Sequence, residues 1–212
     1  MSSALARNHS FPFRPLVGGI LVINAMNQRP GTLGLVTHRG ANDHFLLSAY
    51  HVLCRPEGSA FVDGEVIHQP VGFENAVARV LSADTRPDLD IAAARVDPSV
   101  AVAGRILGLP PVTAPARPQV GMRVIKSGAA TGITEGRVAR VNGSRAAIED
   151  PPGVSSFYEV SGFGDSGAVW VEASSGTPVA LHLSVDSQGR AIALDIVTAL
   201  TALNLQILMD GQ

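Results

Sequence analysis

The chain of 212 residues has one cysteine, Cys54, and one lysine, Lys126. A single thiol excludes an internal disulfide framework and any multi-cysteine metal site, so packing must hold the fold together. Arginine replaces lysine throughout, a bias that reads as genomic composition without chemical meaning. With 16 basic and 18 acidic residues the net charge is −2, and the basic residues form no stripe. Nucleic acid and membrane are therefore excluded as main partners. Long apolar runs are missing as well. The only early one, Leu16 to Met26, is broken by two glycines and Asn24, and is shorter than the roughly 20 residues that span a bilayer. No small-x-small cleavage site follows it cleanly, so residues 1–15 read as an N-terminal tail and a cytoplasmic bacterial protein is expected, with secretion left open. No phosphate loop or dinucleotide fingerprint appears, and His38, His44 and His68 lack spaced partners for zinc; neither cofactor nor metal is expected.

What is present is apolar and punctuated. Apolar residues make up 46% and charged residues 16%, a composition that folds compactly. The 22 glycines and 14 prolines divide the chain into short apolar segments, the spacing of an all-β barrel or sandwich. Strands are expected at 18–23, 31–37, 45–48, 60–62, 64–67, 76–82 and 90–96, which makes 16–103 one β-barrel unit. Pro110, Pro111, Pro115 and Pro118 mark 104–122 as an extended linker. A second series at 123–126, 135–141, 145–149, 156–160, 168–172, 178–184 and 190–194 places another barrel in 123–212. It closes with a short amphipathic helix on Ile196, Leu200 and Leu203, with Asp195 as N-cap.

Three short words carry chemistry. Gly162-Phe163-Gly164-Asp165-Ser166-Gly167-Ala168 lies before the apolar run Val169-Trp170-Val171. A glycine-flanked turn exposes a serine Oγ and aims backbone N–H groups at a developing oxyanion. A hydroxyl is a poor nucleophile at neutral pH and needs a base with an orienting carboxylate. His51 follows the apolar segment Leu46-Leu47-Ser48-Ala49-Tyr50, and Asp90 precedes Ile91-Ala92-Ala93-Ala94, with Asp88 as the competing acid. Cys54, three residues beyond His51, reads as a buried, inert thiol.

The order His51, Asp90, Ser166, with Leu-Ser-Ala-Tyr-His, Asp-Ile-Ala and Gly-Asp-Ser-Gly-Ala, resembles the chymotrypsin-fold (trypsin-like) serine peptidases. Val17-Gly18-Gly19, Pro30-Gly31-Thr32-Leu33-Gly34 and Lys126-Ser127-Gly128 extend the likeness to their compact, disulfide-free bacterial members. The resemblance implies two antiparallel six-stranded β-barrels with a short C-terminal helix and an active site between them. It makes His51 the general base, Asp90 the residue that fixes its tautomer, and Ser166 the nucleophile. Gly164 and Ser166 N–H groups then form the oxyanion hole. Asp165 would hold the oxyanion loop through a cation, for which Arg145, Arg137 or an internal N-terminus are candidates. Leu16-Val17-Gly18-Gly19 looks like an activated zymogen terminus, but Pro15 before it argues against cleavage there.

By position relative to Ser166, Val160 and Ser161 line the floor of the substrate pocket, with His182 and Ser184 beside it. No acid lies at 160 or 161, which disfavours a basic P1 residue. His182 is either a ligand for a Gln or Glu side chain or a strand histidine satisfied by the backbone. Tyr50, where the family commonly has a small residue or Asn, is expected to alter the cleft wall. The resulting expectation is a serine endopeptidase acting through an acyl-enzyme on a protein or peptide substrate. By family analogy it could be a regulatory protease that cleaves one partner, such as a bacterial defence effector, and answers to an activator. The alternatives are a catalytically latent or inactive trypsin-like module that binds peptides by strand addition, and an esterase.

Overall fold

The computed structural model describes residues 11–27, 29–41, 43–54, 61–70, 75–154 and 159–210. The first half contains β1 (Leu16–Gly18), β2 (Leu21–Asn24), β3 (Pro30–Thr32), β4 (Leu35–Arg39) and β5 (Asp43–Ala49), followed by the one-turn helix α1 (Tyr50–Leu53). Next come β6 (Glu65–His68), β7 (Ala76–Arg86), a 3-10 turn (Pro87–Leu89), β8 (Ile91–Val96) and β9 (Val102–Ile106). The second half contains β10 (Arg123–Gly128), β11 (Gly132–Asn142), β12 (Arg145–Glu149), β13 (Val169–Glu172), β14 (Pro178–Val185) and β15 (Ala191–Asp195). The chain closes with α2 (Ile196–Leu203) and β16 (Gln206–Ile207). Among the described residues no helix is long and apolar enough to cross a membrane.

The two all-β halves close differently. β10-β11-β12-β15-β14-β13 is a closed antiparallel six-stranded barrel. The first half, with β16 added at one edge, forms an eight-stranded sheet in the order β16-β4-β5-β8-β7-β6-β2-β3, a half-barrel, and β1 pairs with β9 in a separate parallel ribbon. The expected strand 31–37 is divided at Leu33–Gly34, where Leu33 N–H bonds Ile20 O and Gly34 N–H bonds Leu47 O, and the chain crosses from one strand neighbour to the next. The expected strand 18–23 breaks at Gly19, whose φ is +85° and where a Cβ would lie 2.7 Å from Ser127 Oγ, so no side chain fits. Of the expected strands 60–62 and 156–160, residues 60 and 156–158 lie outside the described residues, and 61–62 and 159–160 form no strand.

Residue choice explains the layers. β11 alternates buried and exposed positions along Gly132–Val138, the mark of a sheet with one wet face. β8 is buried on both faces and uses alanines 92–94 where β5 and β7 flank it. Val124, Ile148, Val160 and Trp170 fill the closed barrel. A larger core joins the first half to Val169, Leu181, Leu183 and α2, so the halves share apolar packing. Asp195 caps α2 by accepting the Val197 N–H at 2.9 Å. The helix buries Ile196, Ala199, Leu200 and Leu203.

Candidate active site

Sheet register brings His51 and Asp90 together. β5 pairs with β8 so that Ala49 faces Ile91, which sets the residues just after β5 beside the residue just before β8. Tyr50 N–H donates to Asp90 O at 3.0 Å, and His51 N–H donates to Asp90 Oδ1 at 3.2 Å. Asp90 reaches this position with a left-handed backbone, φ 59° and ψ 44°, at the end of the 3-10 turn. His51 Nδ1 lies 2.9 and 3.0 Å from the two carboxylate oxygens. An ionised carboxylate only accepts, so the neutral tautomer that pairs with Asp90 carries its proton on Nδ1 and its lone pair on Nε2. Asp88 is exposed within the 3-10 turn.

The serine turn is held from several sides. Gly167 (φ +92°) runs so close to its neighbours that a Cβ would lie 1.9 Å from Ser48 Oγ and 2.3 Å from Thr32 O. Its N–H donates to His182 O at 2.8 Å. Buried Thr32 donates N–H to Ser166 O and Oγ1–H to Gly164 O, both at 2.8 Å, and its Oγ1 accepts the Ala129 N–H at 2.9 Å. Among the described residues the Gly164 and Ser166 N–H groups have no partner. Ser166 Oγ donates to Leu183 O at 3.0 Å.

The cation that faces Asp165 is Lys126, the chain's only lysine, and none of the candidates named from sequence. Arg145 donates to Leu89 O, and Arg137 pairs with Glu149. Lys126 Nζ lies 2.7 Å from Asp165 Oδ2, and both side chains are wholly buried. Thr131 Oγ1–H and the Gly162 N–H also donate to Oδ2, while the Ala130 and Thr131 N–H groups donate to Oδ1. Burial alone would raise the Asp165 pKa; the Lys126 charge and these hydrogen bonds overcome it and pull it down to about 2. Burial pushes the Lys126 pKa down, against the pull of Asp165. The strand's own parity marked this lysine: Val124 and Lys126 are two residues apart on β10 and both point inward.

A cleft of about 800 Å³ collects His51, Asp90, Val160, Ser161, Ser166, His182 and Ser184. The Val160 side chain is buried in the barrel core, and its carbonyl accepts the Thr134 hydroxyl at 2.9 Å. Ser161 Oγ lies 2.7 Å from His182 Nε2. Burial first, then the Lys126 charge, lowers the His182 pKa to about 3, so its imidazole is neutral. Ser184 is exposed, as are Val185 and Phe163, the last to 83%. Asp150, Glu159 and Arg29 also line the cleft; isolated charges in loops carried no sequence signal. Tyr50 packs against the first-half core. Cys54 is buried, and burial together with Glu65 pushes its thiol up to about 12. Among the described residues no group of three or more His, Cys, Asp or Glu is placed to hold a metal.

No protein-family model matches the chain, and no curated protein matches it by sequence. Solved structures do. Thermobifida fusca protease A superposes with a TM-score of 0.65 at 17% identity, over 91% of this chain and 98% of that one. A glutamic-acid-specific serine protease, described as using a histidine triad in substrate binding, gives 0.69 at 16%, over 91% and 100%. Cellulomonas bogoriensis chymotrypsin gives 0.64 at 16%, over 93% and 100%. The chain has the chymotrypsin-like double-barrel fold of bacterial serine proteases.

Proposed function

We propose that this protein is a serine endopeptidase that cleaves protein or peptide substrates through an acyl-enzyme. The observation that carries the reading is the His51–Asp90 contact in the same cleft as Ser166. Ser166 Oγ attacks the scissile carbonyl carbon while His51 Nε2 takes its proton, and Asp90 stabilises the imidazolium. Negative charge gathers on the carbonyl oxygen, where the unpartnered Gly164 and Ser166 N–H groups receive it. Collapse breaks the C–N bond, and His51 returns the proton to the departing amine. A water molecule, deprotonated by the same imidazole, then releases the acyl group.

Substrate binding follows from β14. β13 pairs with it only as far as Leu181, and among the described residues Ser184 and Val185 pair with β15 alone, which leaves their other edge open to an extended peptide. The P1 side chain meets Ser161, neutral His182 and the backbone at Val160. With no acid at 160 or 161 and the Lys126 cation beyond His182, Arg and Lys are disfavoured, and the polar hydroxyl and imidazole suit Gln or Glu. The resting bond from Ser166 Oγ to Leu183 O favours a second reading, a latent module that binds peptides until this hydroxyl is turned. Labelling with a fluorophosphonate probe tests the choice. The expected result is labelling of wild type that Ser166→Ala and His51→Ala abolish, followed by preferential cleavage of peptides with Gln or Glu at P1. A folded wild type that stays unlabelled overturns the enzyme reading and leaves the peptide-binding one.

A further inference from the structure

Two asparagines outside the cleft reach the back of the histidine turn. A four-residue helix satisfies almost none of its own carbonyls, and in α1 only Tyr50 O is bonded from within the turn, by Cys54 N–H at 2.8 Å. The others are bonded by side chains from the end of β2 and from the β2–β3 connection. Asn27 Nδ2 donates to His51 O at 2.6 Å and to Cys54 O at 2.9 Å, with Val52 O at 3.5 Å. Asn24 Nδ2 donates to Leu53 O at 2.6 Å and to Glu65 Oε2 at 2.6 Å. Each amide nitrogen has two protons, and both are used. The acceptors are carbonyl and carboxylate oxygens, so the amide orientation is determined: a flipped Asn27 would set oxygen against oxygen.

The clamp is itself fixed. Asn24 is fully buried in β2, its Oδ1 accepts the Met26 N–H at 2.8 Å, and its carbonyl accepts the Asn27 N–H at 3.1 Å. Asp90 grips the front of α1 through Tyr50 and His51 N–H, while Asn24 and Asn27 grip its rear. In a chain whose single cysteine rules out a covalent tether, we infer that Asn27, supported by Asn24, is a positioning residue that sets the His51 imidazole on Asp90 and toward Ser166. This inference rests on the assignment of His51 as the general base.

The test compares Asn27→Ala and Asn27→Asp with Ile67→Val, a buried control in neighbouring β6 that weakens packing and leaves the α1 carbonyls bonded. Asn27→Asp keeps the shape and replaces the donors with oxygens. Fluorophosphonate labelling is expected to slow about 10- to 100-fold in both Asn27 variants, since displacement of a catalytic group by about 1 Å costs that much. Peptide turnover should fall through kcat with KM within twofold. Solvent exchange of the His51 Nδ1 proton, followed by NMR of histidine-labelled protein, should be at least about tenfold faster than in wild type, and the control should match wild type in all three. Nδ1 exchange unchanged from the control overturns the positioning role. Faster exchange in a protein that never labels upholds it and refutes the enzyme reading alone.

Discussion

Replacing Lys126 by Met removes the positive side chain that faces Asp165 while keeping most of the volume. At 2.7 Å the pair attracts by about 6 kcal/mol with an effective dielectric near 20. Desolvation of both ions opposes that, and removal of one partner from a buried pair costs about 3–5 kcal/mol because the other charge is stranded. Asp165 still has Thr131 Oγ1 and the backbone N–H groups of Ala130, Thr131 and Gly162, so the protein should fold with that deficit. The carboxyl, held at about 2 in the wild type, must rise once the Lys126 charge is gone. The Gly162–Ser166 turn is then held by hydrogen bonds alone, and the Gly164 N–H loses its aim. Fluorophosphonate labelling should slow about 10²- to 10³-fold, the cost of losing one oxyanion donor. Urea unfolding at pH 7 and the labelling rate are the two assays. Lys126→Met combined with Asp165→Asn should recover at least about 2 kcal/mol of the lost stability, because both charges are then absent. A single variant that unfolds within about 0.5 kcal/mol of wild type and labels at the wild-type rate would refute the reasoning.

Thr32→Val keeps shape and burial but removes the hydroxyl between Gly164 O and Ala129 N–H; a loss of about 1–3 kcal/mol and about tenfold slower labelling are expected, and an unchanged labelling rate would separate Thr32 from the oxyanion turn. His182 holds its proton at about 3 in the fold and near 6.5 when unfolded. Between those values only the unfolded chain binds the proton, so stability should fall as pH drops through that window. In His182→Gln the fall should be shallower, as read from urea midpoints at pH 7, 5 and 4; equal slopes for the two proteins would sink the argument. Asp165, with a depressed pKa, adds its own loss only as pH falls below about 3.8 toward about 2.

The parts of this molecule legible in sequence are those written in neighbouring residues. Leu-Ser-Ala-Tyr-His and Asp-Ile-Ala sit on strand ends, and the register of β5 against β8 turns two distant words into one contact. Asp195 and the apolar spacing behind it mark α2 because capping and amphipathicity are local. Lys126 was hidden for the opposite reason. A lone lysine in an arginine-rich chain looks compositional, and only its parity with Val124 betrays an inward side chain. Asn24 and Asn27 look like ordinary turn formers until α1, 29 residues beyond Asn24 at Leu53, is folded against them. Among the described residues β1 and β9 pair in parallel only with each other, and β16 has two residues, so these strands are defined by partners rather than by pattern.

β16 lies at the far end of the chain yet adds to β4, with Ile207 opposite Thr37 and Gln206 opposite His38. The closed barrel is thus sewn to the first-half sheet by the last strand as well as by the segment between β9 and β10. A closure of this span is entropically costly and comes late, so folding should be slow for a protein of this size. Once closed, it ties the sheet that carries His51 to the barrel that carries Ser166, and the two halves should melt as one cooperative unit.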